Sequence, residues 1–123
     1  MSAATRTLEW TSARQGQCVE LADIPVIPSE EFADHLILAR KRQGRLAQLF
    51  GRRMPDGGVT LYAFVANDNE GTVKVCCSHL ARSDGGPLQY PSITAHWPAA
   101  QAFEREIAEQ YGVHPLGHPW LKP

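Results

Sequence analysis

Cysteine is scarce in this chain of 123 residues: Cys18, Cys76 and Cys77 form an odd set with no wide pairing pattern, which excludes a disulfide framework and fits a reducing compartment. An iron–sulfur cluster needs about four suitably spaced thiolates or imidazoles, and no such set is present. Net charge is also scarce, at −1, so no global field draws the chain to nucleic acid or an acidic membrane. Long apolar runs are missing, and none approaches the roughly 18 residues of a membrane-spanning helix. The polar start Met1-Ser2-Ala3-Ala4-Thr5-Arg6 has no apolar centre of a signal peptide, which leads us to expect a cytoplasmic protein. A glycine-rich phosphate loop is missing too. Asp56-Gly57-Gly58 and Asp84-Gly85-Gly86 have turn chemistry, and neither opens a helix as a dinucleotide site requires.

What remains is an ordinary globular composition, 43% hydrophobic and 20% charged, at a length that fits one core. Residues 1–17 read as a polar N-terminal arm and 18–123 as a single domain. A short strand is expected over Cys18–Ile24, before Pro25 and Pro28. Ser29, followed by Glu30 and Glu31, supplies a capping hydroxyl and carboxylates at the positive end of a helix dipole. From Glu30 to about Phe50 the residues Phe32, Leu36, Ile37, Leu46, Leu49 and Phe50 recur at mostly helical spacing around Gly44, predicting one kinked helix or two short ones closed by Gly51.

Strand signals come next. Val59–Ala66 alternates Leu61, Ala63 and Val65 against Tyr62 and Phe64, and Thr72–Leu80 is β-branched and apolar, with residues 67–71 as the hairpin loop. Apolar residues on both faces of the first strand place it inside the sheet or under helices. Ser92-Ile93-Thr94 is expected as a short edge strand, and Pro98 as the first position of a helix ending at Gly112. The fold class is therefore α+β: a small, mainly antiparallel sheet with helices packed on it.

On the last helix Ala100, Phe103, Ile107 and Tyr111 fall in one narrow arc and form its buried stripe, with Glu104 at the border and Arg105 and Glu109 on the opposite side. On composition alone, Glu104-Arg105-Glu106 is a solvated helix face. Its surroundings change that reading. Pro91-Ser92-Ile93-Thr94, then Trp97-Pro98-Ala99-Ala100, Glu104-Arg105-Glu106, Tyr111-Gly112-Val113 and Gly117-His118-Pro119 together resemble the signature of the 30 kDa subunit of respiratory complex I, the respiratory NADH dehydrogenase. Related domains begin the large subunit of some membrane-bound nickel–iron hydrogenases and formate hydrogenlyases. The resemblance is dense from Tyr90 to Pro119. Ala102 stands where the family usually has an aromatic, Glu109 where it has Asp, and Tyr111 where it has Phe. Glu109 and the ending Leu121-Lys122-Pro123 look closer to the hydrogenase branch, and the abrupt end looks like a domain cut from a longer polypeptide.

The resemblance implies a scaffold domain with no cofactor of its own, iron–sulfur clusters and nickel or quinone belonging to partner subunits. The implied partner is the large catalytic subunit, of 49 kDa or hydrogenase type, in a complex peripheral to the inner face of the cell membrane. Electron transfer to quinone, or proton reduction, would belong to the assembled oxidoreductase. The residues expected to meet that partner are Glu104, Arg105, Glu106, Glu109, Gly117, His118 and Pro119, with His118 expected to bond Glu104 or Glu106.

Competing readings have weaker support in the residues. His114 and His118 are four apart, but Pro115 and Gly117 interrupt the helical turn that would make a metal pair of them. Cys76 and Cys77, adjacent in a strand, point to opposite faces. Arg40, Lys41, Arg42, Arg45, Arg52 and Arg53 would serve a nucleic-acid-binding module at 40–53, but the total charge is near neutral and the stretch has no recognised binding fold. Ser78-His79, and Ser92 near His96, lack the third orienting group of a hydrolase.

Overall fold

The computed structural model describes residues 5–6, 10–14, 19–81 and 87–119. Besides two 3-10 turns, the described residues form these strands and α-helices in chain order: β1 (Thr5–Arg6), β2 (Thr11–Arg14), α1 (Ser29–Lys41), β3 (Arg45–Arg53), β4 (Val59–Asn67), β5 (Thr72–Leu80), β6 (Gln89–Pro91), α2 (Gln101–Tyr111) and β7 (His114–Leu116). The first five strands form an antiparallel sheet in the order β1-β2-β5-β4-β3. A separate pair, β6 and β7, is parallel. This is the α+β fold that the alternating strands and amphipathic helices predict.

The β4–β5 hairpin is the centre of the sheet. Val59 lies opposite Leu80 and Asn67 opposite Thr72, and the turn between them is held by the Glu70 N–H donating to Asn67 Oδ1 at 3.2 Å. The β3–β4 turn is held in the same way, by the Gly58 N–H donating to Asp56 Oδ1 at 2.7 Å. Because side chains alternate along a strand, this register sends Leu61, Ala63, Val65 and Cys76 to one face and Tyr62, Phe64, Val75 and Cys77 to the other. The first face meets Phe32 and Leu36 of α1 and Ile107 of α2 in the main core. Among the described residues, the second face has the segment around Val19 and Ile24 against it.

Several expected elements take a different form. Leu21–Asp23 is a short 3-10 turn rather than part of a strand, and Cys18 lies outside the described residues. Pairing begins instead at Val26, bridging in parallel to Cys77, with the Ile27 N–H donating to Cys77 O and the Cys77 N–H to Pro25 O. Proline has no N–H to give a ladder but keeps its acceptor, so it fits this edge position. Thr11–Arg14, inside the expected arm, pairs with the first half of the same β5 edge. The expected boundary between residues 17 and 18 falls among residues that are not described.

The region expected to be helical up to Phe50 contains helix only to Lys41; Arg45–Arg53 is strand, and Gly51 lies within it rather than capping a helix. A register shift between Leu46 and Gln48 marks a bulge at Ala47. One extra residue puts Leu46 and Leu49 on the same face although they are three apart, which imitates helical spacing. Ser29 does not cap α1: Pro28 holds the cap position, with no side-chain capping bond, and the Ser29 hydroxyl reaches Glu30 instead. The short strand expected at Ser92–Thr94 is Gln89–Pro91, and 92–94 is loop. Pro98 opens a 3-10 turn leading into α2, and Gly112 ends that helix in the left-handed conformation at φ 67°, as the sequence predicts.

Candidate functional site

The signature residues come together around Glu104. Its side chain has 0% exposure, and five donors converge on its carboxylate. The Tyr90 hydroxyl donates at 2.6 Å and the Ser92 hydroxyl at 2.7 Å. The Ile93 N–H lies 3.2 Å from both carboxylate oxygens, and the Thr94 N–H and hydroxyl reach Oε1 at 3.0 and 2.5 Å. A buried carboxylate is stable only when its lone pairs are filled, and here one loop fills them. Burial, and then the neighbouring Glu104 charge and hydrogen bond, push the Tyr90 phenol well above its ordinary value.

Two blocks of the sequence signature, 91–94 and Glu104, are thus the two sides of one clasp. Glu104 joins α2 to the loop after β6, and it is buried there rather than standing on the exposed side of α2 as expected. The donors to its carboxylate come from residues 90–94 and do not include His118. His118 is itself buried, at 5% exposure, and its backbone N–H donates to Pro115 O at 3.2 Å. It belongs to the interior of the terminal turn, which Gly117 makes possible at φ 81°.

Other residues of the expected set are exposed. Arg105, Glu106 and Glu109 line a shallow recess of about 410 Å³ with Ala102 and Gln110, and Gln110 Nε2 donates to Glu106 at 3.2 Å. Gly117 and Pro119 are exposed at the terminal turn.

A second surface escaped the sequence reading. The sheet face away from the helices carries a recess of about 580 Å³ bordered by Leu21, Val26, Arg52, Met54, Tyr62 and Cys77. At its polar end Thr60 Oγ1 lies 3.1 Å from His79 Nδ1, and His79 Nε2 lies 3.1 Å from Asp56 Oδ2. The Gly58 N–H, and then His79, hold the Asp56 carboxyl below the usual carboxylate value. Phe50 stacks on Tyr62 at 5.4 Å and on Phe64 at 5.9 Å. The alternation of Tyr62 and Phe64 is legible in sequence; their partner Phe50 is not, once residues 45–50 are read as helix.

The residues of the competing readings are dispersed or engaged. Arg40 donates to the His96 carbonyl, Arg45 makes a two-point pair with Asp68 at 3.1 Å, and Arg53 donates to the Gly57 and Tyr111 carbonyls. Arg52 and Arg53 alternate across the sheet, so stretch 40–53 does not form one continuous cationic surface. Ser78 donates its hydroxyl to Ile27 O and Ser92 to Glu104, while His79 bonds Thr60 rather than a serine. Cys76 and Cys77 lie on opposite faces, and burial raises both thiols. No group of three potential metal ligands occurs among the described residues.

Comparison with known proteins places this geometry. Residues 26–123 match the model of the family described as respiratory-chain NADH dehydrogenase, 30 kDa subunit. The C/D subunit of the NADH-quinone oxidoreductase of Azotobacter vinelandii is 53% identical over 36 residues, covering 29% of this chain and 6% of that protein. Formate hydrogenlyase subunit 5 of Escherichia coli is 36% identical over 81 residues, covering 64% of this chain and 14% of that protein. The chain therefore spans a small fraction of these relatives' length. In fold it is similar to the trypsin-resistant fragment (1-134) of Nqo5, with a TM-score of 0.59 and 20% identity, over 91% of this chain and 89% of that one. With the family model matched from Val26 to the last residue, and the clasp at Glu104 built from its signature, the chain belongs to the respiratory-chain NADH dehydrogenase 30 kDa subunit family.

Proposed function

We propose that this chain is a docking domain with no redox centre of its own, seated on the large catalytic subunit of a complex I-like oxidoreductase. The family match over residues 26–123 carries the reading. Both curated relatives are much longer proteins, of which this domain matches 6% and 14%, which supports a role as one part of a larger assembly. The hydrogenase type is our preferred branch, since the match to formate hydrogenlyase subunit 5 extends over 81 residues. In this reading residues 18–123 act as one domain, and the arm 1–17 adds Thr11–Arg14 to the edge of its sheet. The assembly lies on the cytoplasmic face of the membrane, held there by other subunits; no helix among the described residues is long and apolar enough to cross a membrane.

The partner contacts proposed are Arg105, Glu106 and Glu109 on the outer side of α2, with Gly117 and Pro119 at the terminal turn. Exposed charges of this kind set register and partner choice more than affinity. Glu104 and His118 contribute by holding that surface in place. The test is co-expression of the tagged chain with the large catalytic subunit from the same source. Co-purification is expected, and a Glu106→Lys, Glu109→Lys variant should reduce it while keeping its thermal stability. A purified chain carrying stoichiometric iron, nickel or flavin, or one that does not associate with that subunit, would overturn the proposal. A Cys-x-x-Cys nickel pair in the partner would select the hydrogenase branch.

A further inference from the structure

The helix-free face of the sheet has no part in the contacts proposed above. It nevertheless carries much of the exposed apolar surface: Leu21 is 61% exposed, Val26 64%, Phe50 42% and Val73 37%. Leu21 and Val26 border the same recess as Tyr62, and the Tyr62 ring stacks on the half-exposed Phe50, which stacks in turn on Phe64, so ring contacts join the recess to the aromatic row along the sheet. Apolar surface joined in this way marks an interaction site more often than scattered single residues do.

Asp56 and Arg52 are the Asp, Glu, Lys or Arg side chains that border the recess. Asp56 is engaged by the Gly58 N–H and His79, and Asp68 by both guanidinium arms that Arg45 offers. Arg52 stands over the Tyr62 ring at 5.7 Å and donates to Met54 Sδ at 3.7 Å; among the described residues no carboxylate pairs with it. A guanidinium over an aromatic face and beside an apolar recess is set up to receive a carboxylate in a two-point geometry. The recess is open to solvent and runs on into the aromatic row, a shape for a length of polypeptide rather than an enclosed small molecule.

We propose that this open sheet face is a second docking surface, occupied by a segment of the large subunit that sets an apolar side chain between Leu21, Val26 and Tyr62 and an Asp or Glu carboxylate against Arg52. This inference rests on the docking function proposed above and adds a second side to it. The domain is then held on both faces of its sheet, by α2 on one and by this recess on the other.

The test uses the full chain assembled with its large subunit. In an Arg52→Lys variant, a water-soluble carbodiimide condenses the introduced amine with a carboxylate in contact with it, and mass spectrometry identifies the linked peptides. The expected product joins position 52 to an Asp or Glu of the large subunit. A link from position 52 only to Asp56 of the same chain, or only to a second copy of this chain, overturns the proposal. In a second arm, the Leu21→Asp, Val26→Asp variant replaces two side chains that are mostly solvent-exposed, so its thermal unfolding should match the parent. Its retention of the large subunit should fall about tenfold, the scale on which central apolar anchors act. Retention at the parental level overturns the proposal while leaving the docking function intact. Failure of the parent chain itself to retain the large subunit overturns both.

Discussion

At Glu104 a carboxylate is enclosed by five donors, four of them on residues 92–94 and the fifth the Tyr90 hydroxyl. Removing the acceptor strands all of them: the Glu104→Ala variant leaves two backbone N–H groups and three hydroxyls without their shared partner in a dry site. A loss of about 3–5 kcal/mol is expected, in the range for breaking a buried charged network. Glu104→Gln keeps the shape but turns an amide NH₂ toward donors, and should cost about 1–3 kcal/mol. Urea unfolding measures both, and a Glu104→Ala variant within about 0.5 kcal/mol of the parent would show that the clasp does not hold the loop. The sequence places Glu104 beside the buried stripe of α2, which is as far as helical spacing can reach. That its neighbours are amides from ten residues earlier depends on how the loop after β6 folds back, and no local pattern encodes it. Arg105 and Glu109 were legible as an exposed face because a helix's outward side follows from spacing alone.

Elements were legible where one period ran uninterrupted. β4 alternates around Leu61, Ala63 and Val65, β5 is β-branched and apolar at Val73 and Val75, and α2 has a proline near its start and a glycine at its end. The α1–β3 junction was not, because the bulge at Ala47 gives Leu46 and Leu49 a spacing shared by helices. The physical stop is at Gln43 and Gly44. Gln43 takes the left-handed conformation at φ 68°, and Gly44 donates back to the Ala39 carbonyl at 2.9 Å. A Cβ on Gly44 would lie 2.5 Å from Val65 Cγ1 and 2.8 Å from the Ala39 carbonyl oxygen. The valine can rotate, but the carbonyl is fixed in the helix end. Gly44→Ala should therefore lower stability by about 1–3 kcal/mol, the usual cost of overpacking, through separation of α1 from the sheet. Thermal unfolding would detect it, and an unchanged midpoint would mean that the junction gives way freely.

For the molecule as a whole, the paired acids and the buried thiols and phenol define a pH window of stability. Asp56 and Asp68 have folded values below their ordinary 3.8, the first through the Gly58 N–H and then His79, the second through Arg45. Depressed acids contribute stability that is present above the unfolded value and is lost as pH falls through the folded one. Both are solvent-exposed, so the acid side should decline gently below about pH 4. The alkaline side is set by groups shifted the other way. Burial raises Cys76 well above its ordinary 9.0 and Tyr90 well above 10.0, and Cys77 is raised too. Their contribution is complete below the unfolded value and disappears as pH rises towards the folded one, because the unfolded chain releases protons that the folded chain keeps. Each such group adds a slope of up to about 1.4 kcal/mol per pH unit. Cys76 lies among Leu61, Ala63 and Leu80 on the helix-covered face, so Cys76→Ala removes one titrating group from the core. The variant should be less stable than the parent at pH 7, because it leaves a small void, yet its stability should fall less steeply above about pH 9, by up to one proton's share of the slope. Denaturant titrations from pH 7 to 10.5 would measure both effects together, and parallel curves for parent and variant would show that the Cys76 thiol ionises as readily in the folded core as in the unfolded chain.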